Sequence, residues 1–374
     1  MDNTKSLKVL VVDDTIVYRK IVSDILAEIP DIEVVGTASN GKIALSKITT
    51  LEPDLITLDI EMPEVNGIEV LAHIKKEKWD VGAIVLSTLT HEGGDMTITA
   101  LELGAFDFIP KPDSGTMAEN REAIKNILVH MLKAFQRRRD IKNILKGETV
   151  PKTKHDKPRL IKKKPAYVKT SDESILKLSN RQQTKSEIVT IGISTGGPNA
   201  LAKMLPMIPK DIGVPILIVQ HMPPIFTQSL ARSLDAKCSI DVKEAKDGEI
   251  LSANTIFIAP GGKQMKVAAA AGGHSRIIRI TDDPPENSCK PSVDYLFRSV
   301  ALYFMGRATG VIMTGMGSDG TIGSKLMKEN GSIIIAQDEA SCTVFGMPRE
   351  VINAGHANIV VPIDQIVESI KDTI

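Results

Sequence analysis

The sequence predicts an α/β protein made of two doubly wound, mainly parallel-sheet domains joined by a basic linker. Three observations carry that expectation. A chain of 374 residues is long enough for two cores at the usual scale of ~150 residues per domain. Short apolar runs alternate with helix-period stretches in the first third and again in the second half, the pattern of a parallel sheet wrapped by helices. Between the two the charge changes abruptly. Residues 1–130 hold 12 basic and 22 acidic side chains, residues 131–186 hold 17 and 5, and residues 187–374 hold 17 and 19. The middle piece contains Pro151, Pro158, Pro165 and the run Lys162-Lys163-Lys164 with few large apolar residues, so it is not expected to build a core of its own. The expected division is a domain over 7–130, a linker over 131–186 and a domain over 187–374.

Composition narrows the class. With 42% hydrophobic and 25% charged residues the chain reads as an ordinary globular protein. No apolar run approaches the ~20 residues that span a bilayer, so membrane insertion is not expected. The opening residues Met1-Asp2-Asn3-Thr4-Lys5 carry no apolar signal core, which predicts a cytoplasmic chain. Cys238, Cys289 and Cys342 are odd in number and widely spaced, as reduced thiols are. The basic linker lacks interleaved aromatics, so solvation and attraction to the acidic first domain are favoured over nucleic acid or lipid.

In the first domain, candidate strands lie at 8–12, 32–38, 55–58, 83–86 and 107–109, each followed by a helix-period stretch, the last over 118–138. Chemistry in such sheets gathers beyond the carboxyl ends of the strands. Asp13 and Asp14 end the first strand, Asp59 the third, Ser87 with Thr88 the fourth, and Lys111-Pro112 the fifth. One aspartate after a strand is usually a turn or cap residue. Three converging on one edge repel one another unless a divalent cation or a lysine neutralises them. Mg²⁺ and Lys111 would supply that balance and suit phosphoryl transfer to Asp59, on the middle strand of the set.

The motifs Val11-Val12-Asp13-Asp14, Leu58-Asp59-Ile60-Glu61-Met62-Pro63 and Phe108-Ile109-Pro110-Lys111-Pro112 resemble those of response-regulator receiver domains, which are flavodoxin-like. That resemblance implies phosphorylation of Asp59 by a histidine kinase phosphodonor. It implies Mg²⁺ held by Asp13, Asp14, Asp59 and the backbone carbonyl of Glu61, phosphoryl contacts from Ser87 and Lys111, and a switch role for Phe108.

The second domain shows apolar runs at 188–193, 216–219, 255–259, 310–313 and 332–336, with a hairpin-like insert over 265–281. Its organising stretch is Gly192-Ile193-Ser194-Thr195-Gly196-Gly197-Pro198, directly after the first run. G-x-S-x-G at a strand-to-helix turn pushes a serine hydroxyl out of the sheet edge, although a serine that merely caps the next helix is the plainer reading of the pentapeptide alone. A nucleophile needs a base and an orienting acid. His221 follows the second run and so lies on the rim of Ser194, whereas His356 precedes a strand-like run and belongs to the opposite rim. His73, His91, His130 and His155 fall in the other domain or the linker, and His274 at the hairpin turn. Asp319, in Thr314-Gly315-Met316-Gly317-Ser318-Asp319-Gly320, stands after the fourth run and qualifies as the acid.

The same loop spells G-x-G-x-x-G at Gly315, Gly317 and Gly320, with Asp338 or Glu339 at a ribose-binding distance, so a dinucleotide site is a rival. Its late position and the unexplained Ser194 and His221 weigh against it. Cys342 is a competing nucleophile whose neighbours suggest packing instead. Ser292 and Asp294 read as caps of the following helix, and Met222 and Met316 as core.

Gly192 through Pro198, Gln220-His221-Met222-Pro223-Pro224, Lys290-Pro291-Ser292-Val293-Asp294, Thr314 through Gly320 and Phe345-Gly346-Met347-Pro348 resemble the chemotaxis protein-glutamate methylesterases, receiver included. The resemblance implies a triad of Ser194, His221 and Asp319. Its implied substrates are glutamate methyl esters on chemoreceptor cytoplasmic helices, with some glutamines deamidated. Oxyanion donors are assigned to the N–H groups of Thr195 and Met316, and the ester chemistry is expected to need no cofactor. An unphosphorylated receiver lying over the Ser194 rim is the expected mode of control. The competing expectation is a receiver-controlled binding module without turnover.

Overall fold

The computed structural model describes residues 6–112, 115–145, 185–273 and 275–374. The expectations for residues 146–184, including His155, and for His274 lie outside the described residues.

The first sheet is built from β1 (Leu7–Val12), β2 (Ile32–Ala38), β3 (Leu55–Asp59), β4 (Gly82–Ser87) and β5 (Asp107–Pro110), all parallel in the order β2-β1-β3-β4-β5. This is the flavodoxin-like order expected of the domain. β3 is buried at every position, which is why its sequence is a continuous apolar run up to Asp59. Helices α1 (Ile16–Ala27), α2 (Gly41–Leu51), α3 (Gly67–Glu77) and α4 (His91–Glu102) begin on Thr15, Asn40, Asn66 and Thr90, whose side chains each accept a first-turn N–H. At α3 the Glu69 carboxylate closes a reciprocal capping box.

Helix α5 (Met117–Leu145) covers the helix-period stretch expected over 118–138 and continues past it to residue 145, inside the basic segment. Its buried side is an apolar stripe. Ile124, Leu128, Met131 and Leu132 are buried at helical spacing, and Phe135 packs edge-on against Phe106. The arginines at 137–139 lie beyond that stripe, and a charge count registers them and not the stripe.

The second sheet has seven parallel strands in the order β14-β13-β12-β6-β7-β9-β8. They are β6 (Ile188–Ile193), β7 (Ile216–Gln220), β8 (Asp241–Glu244), β9 (Thr255–Ile258), β12 (Ala308–Ile312), β13 (Ile333–Gln337) and β14 (Ile359–Val361). The helices are α6 (Gly197–Met204), α7 (Phe226–Asp235), α8 (Val293–Phe304), α9 (Thr321–Glu329), α10 (Met347–Asn353) and α11 (Ile366–Lys371). The insert forms a separate antiparallel ribbon, β10 (Gln264–Ala269) with β11 (Arg276–Thr281), tied to α8 by a hydrogen bond from the Val267 N–H to Ser299 Oγ. From β6 the chain builds outward through β7, then crosses to lay β12 on the other side of β6. The crevice past the carboxyl ends of β6 and its neighbours is therefore a topological switch point, where open α/β sheets bind their ligands.

The two domains meet along α4 and β5 of the first and α6 and α7 of the second. Phe108 stacks on Phe226 with ring centres 4.6 Å apart. Arg232 reaches Asp95 at 2.6 Å, Lys237 and Ser233 both engage Glu102, and Asn199 Nδ2 donates to the Ala105 carbonyl at 3.2 Å. Asp107, buried at this contact, accepts the Gly196 N–H at 3.3 Å, so β5 touches the serine turn itself. Burial pushes the Asp107 carboxyl up to about 7 against the opposing pull of the Phe108 and Gly196 N–H groups.

Candidate active site

Ser194 stands one residue beyond β6. Its turn is closed by Gly196, whose φ of 73° lies in the left-handed region open to glycine. Backbone bonds fix the serine from both neighbouring strands. Its N–H donates to the Thr314 carbonyl at 2.9 Å, and its carbonyl accepts from Gln220 Nε2 at 3.0 Å. Gly315 supplies the close approach, since a Cβ there would lie 2.7 Å from Ser194 Cβ and 2.6 Å from Met347 Sδ. His221 follows β7, and its N–H donates to the Ile193 carbonyl at 3.1 Å, which continues the strand register and sets it beside Ser194.

Asp319, in the loop between β12 and α9, completes the rim. Its Oδ2 lies 2.8 Å from His221 Nε2 and accepts the Val293 N–H at 2.7 Å. Its Oδ1 accepts from Ser292 Oγ at 2.8 Å, Asn287 Nδ2 at 3.0 Å, and the Asp294 and Gly320 N–H groups at 3.1 Å. A carboxylate with a side chain only 2% exposed thus sits on the amino end of α8, where free N–H groups and the helix dipole favour negative charge. Burial alone would raise the Asp319 pKa, but the His221 hydrogen bond and charge and the α8 N–H groups outweigh it and bring it down to about 2. For His221, burial pulls down while hydrogen bonds to Asp319 and Cys289 push up, with a net rise to about 9. Asp319 accounts for part of that rise. Cys289, with Sγ 3.6 Å from His221 Nδ1, pushes in the same direction.

The Ser194 hydroxyl has no hydrogen-bond partner among the described residues, and neither do the backbone N–H groups of Thr195 and Met316. Ser194, His221 and Asp319 come from the ends of three adjacent strands, β6, β7 and β12. His356 precedes β14 on the opposite rim. Burial and the nearby Asp338 and Glu339 push the Cys342 thiol well above its ordinary range. The loop holding Gly315, Gly317 and Gly320 has its first glycine packed on Ser194 and Met347, and the Gly315 N–H is taken by the Val344 carbonyl, so no phosphate cradle opens there.

Sequence reasoning missed the part that four residues play in the site, two of which it read only as helix caps. Ser292 caps α8 through the Tyr295 N–H, but it also donates to Asp319. Asp294 accepts the Gly323 N–H at 2.6 Å and Asn287 Nδ2 at 2.9 Å, which ties α8 to α9 around the acid. Asn287 and Cys289 sit in an irregular segment with no periodicity, and only proximity in space reveals them.

In the first domain Lys111 Nζ bridges Asp13 Oδ2 at 2.9 Å and Asp59 Oδ2 at 2.8 Å. Carboxylate oxygens of Asp13, Asp14 and Asp59 lie within 4.8 Å of one another, and Asp59 Oδ1 is buried with no partner. Burial raises the Asp59 pKa to about 6 even against Lys111. Ser87 is turned toward α4, where Oγ accepts from Thr97 Oγ1 at 2.6 Å and donates to the Gly93 carbonyl at 3.2 Å. Thr88 Oγ1 donates to the Glu61 carboxylate at 2.8 Å.

Fold and site together define a receiver domain coupled to an α/β domain of serine-hydrolase type. Residues 9–122 match the family model "Response regulator receiver domain" and residues 189–370 match "CheB methylesterase". A curated relative from Desulfotalea psychrophila, named protein-glutamate methylesterase/protein-glutamine glutaminase, is 57% identical over 99% of both chains. One of the same name from Bacillus subtilis is 42% identical over 98% of both. The crystal structure of the Thermotoga maritima CheB methylesterase catalytic domain is 39% identical, covering 51% of this chain and 100% of that one at a TM-score of 0.49. The chain belongs to the protein-glutamate methylesterase/protein-glutamine glutaminase family. No helix among the described residues is long and apolar enough to cross a membrane.

Proposed function

We propose that this chain hydrolyses glutamate methyl esters on chemoreceptor cytoplasmic helices, releasing methanol, and deamidates selected receptor glutamines, under control of its receiver. The observation that carries the reading is the Asp319–His221 contact at 2.8 Å beside the serine turn. Asp319 holds Nε2, so Nδ1 is the nitrogen left to take the Ser194 proton. Ser194 and His221 follow neighbouring strands, β6 and β7, whose carboxyl ends lie side by side. The Ser194 oxygen attacks the ester carbonyl, the N–H groups of Thr195 and Met316 receive the oxyanion, and the imidazolium protonates departing methoxide. Water, deprotonated by the same nitrogen, then cleaves the glutamyl-serine ester. A glutamine side chain follows the same route with ammonia as leaving group. The purified chain incubated with methylated receptor should release methanol, and with glutamine-bearing receptor ammonia; neither product would defeat the reading.

A histidine at about 9 is largely protonated at neutral pH, so the base is scarce. The expected kcat/KM rises about tenfold per pH unit from 7 toward 8.5 and levels near 9. A profile flat across that range contradicts His221 as base.

Control follows from what the receiver touches. α4 and β5 pack on α6 and α7, the helices that follow Ser194 and His221, and Asp107 holds the Gly196 N–H. Phosphorylation of Asp59 shifts the population away from this docked form. The orphaned Asp59 Oδ1 and the hard oxygens of Asp13 and Asp14, with the Glu61 carbonyl, fit Mg²⁺, which when bound would neutralise the incoming phosphoryl oxygens. Lys111 anchors that group, with Ser87 nearby at the end of β4. Glu102→Arg sets a cation against Lys237 and should raise unphosphorylated turnover several-fold while shrinking activation by a small phosphodonor. Asp59→Asn should abolish that activation and leave basal turnover in place. Unchanged basal turnover in Glu102→Arg would contradict inhibition by docking.

A further inference from the structure

We propose that Cys289 and His221 form a binding site for a thiophilic divalent cation, best matched by Zn²⁺, whose occupation switches the esterase off. The proposal rests on the reading of His221 as base, but the site itself rests on geometry alone. Cys289 Sγ lies 3.6 Å from His221 Nδ1. Zinc bonds of ~2.3 Å to sulfur and ~2.0 Å to nitrogen at a tetrahedral angle separate the two ligand atoms by about 3.5 Å, close to the observed spacing, so an ion fits between them without backbone movement.

The other ring nitrogen of His221 is also placed as it is in metal-binding histidines. Metal-binding histidines commonly donate their remaining N–H to a carboxylate, which fixes the tautomer and sharpens the ligand. His221 Nε2 faces Asp319 at 2.8 Å, and that carboxylate is itself held by Ser292, Asn287 and the amino end of α8. The carboxylate, imidazole and thiol donors all lie within 4.8 Å of one another. The Asn287 carbonyl, 3.4 Å from Cys289 Sγ, offers a further donor, and water completes the shell. A thiol ligand selects against Mg²⁺, so this site and the acidic cluster of the receiver answer to different ions. The consequence is direct: the ion takes the nitrogen that Ser194 needs, and the proton on Cys289 Sγ and the proton on the imidazolium Nδ1 both leave to solvent as the metal–sulfur and metal–nitrogen bonds form.

The test uses the full chain in saturating Mg²⁺, free of chelators and thiol reductants, and reads binding apart from activity. Titration with Co²⁺ should give a thiolate-to-cobalt charge-transfer band that Cys289→Ala lacks. Micromolar Zn²⁺ should suppress methanol release, reversibly on adding a chelator. In Cys289→Ala, measured against its own uninhibited rate, the inhibitory concentration should rise at least about 100-fold, more than loss of a ligand's hydrogen-bond partner costs. An absent band, or one unchanged in Cys289→Ala, overturns the site whatever the activity does. A band that forms without inhibition overturns the switch and, with it, His221 as base.

Discussion

Ser194→Ala should lower methanol release by at least about 10⁴-fold, since nucleophiles that act as a unit with a base cost 10⁴–10⁶ when removed. The fold should hardly notice. The hydroxyl makes no hydrogen bond within the described protein, and the turn is fixed by backbone contacts to Thr314 and Gln220 that alanine retains. Phosphorylation of Asp59, on the other sheet, should proceed as before. A variant that folds, accepts phosphoryl groups and still turns over at a tenth of the normal rate would remove Ser194 from the mechanism.

The second large effect falls on Asp319. Asp319→Asn keeps the shape but offers His221 an N–H or a neutral oxygen in place of a carboxylate, so the tautomer with Nδ1 free is no longer enforced, and kcat should fall about 10³–10⁴-fold. Stability should fall as well. Asp319 answers donors from Asn287, Ser292, Val293, Asp294 and Gly320, and alanine would strand several of them in a buried place. With its pKa depressed from 3.8 to about 2, the carboxylate contributes about 2 kcal/mol that is fully present above pH 3.8 and is lost as pH falls through 2. Acid unfolding of the wild type and of Asp319→Asn should therefore converge below that window. Parallel curves down to pH 2 would mean the ion pair contributes nothing to the fold.

Much of this was legible in the chain, and the unread parts share physical causes. Buried parallel strands are apolar throughout, so β1, β3, β6 and β7 announce themselves together with the polar residues that end them. Strand β8 does not. At the sheet edge only Val242 of its four residues is buried, and no pattern marks it. The supports of Asp319 were hidden by their distance in sequence. Ser292 carries the signature of a cap and is one, but nothing local says that the end it caps also receives a carboxylate from the loop after β12. The docking of α4 and β5 on α6 and α7 likewise depends on single contacts, such as Phe108 with Phe226, between residues more than a hundred positions apart.

The central claim is that His221 and Asp319 act through one another at the Ser194 rim, and a double-variant comparison of methanol release tests it most directly. Asp319→Asn should slow the wild type severely yet add almost nothing on top of His221→Ala, because the acid has no other route to the ester. Losses that simply multiply, leaving the double variant about 10³-fold below His221→Ala alone, would contradict the relay.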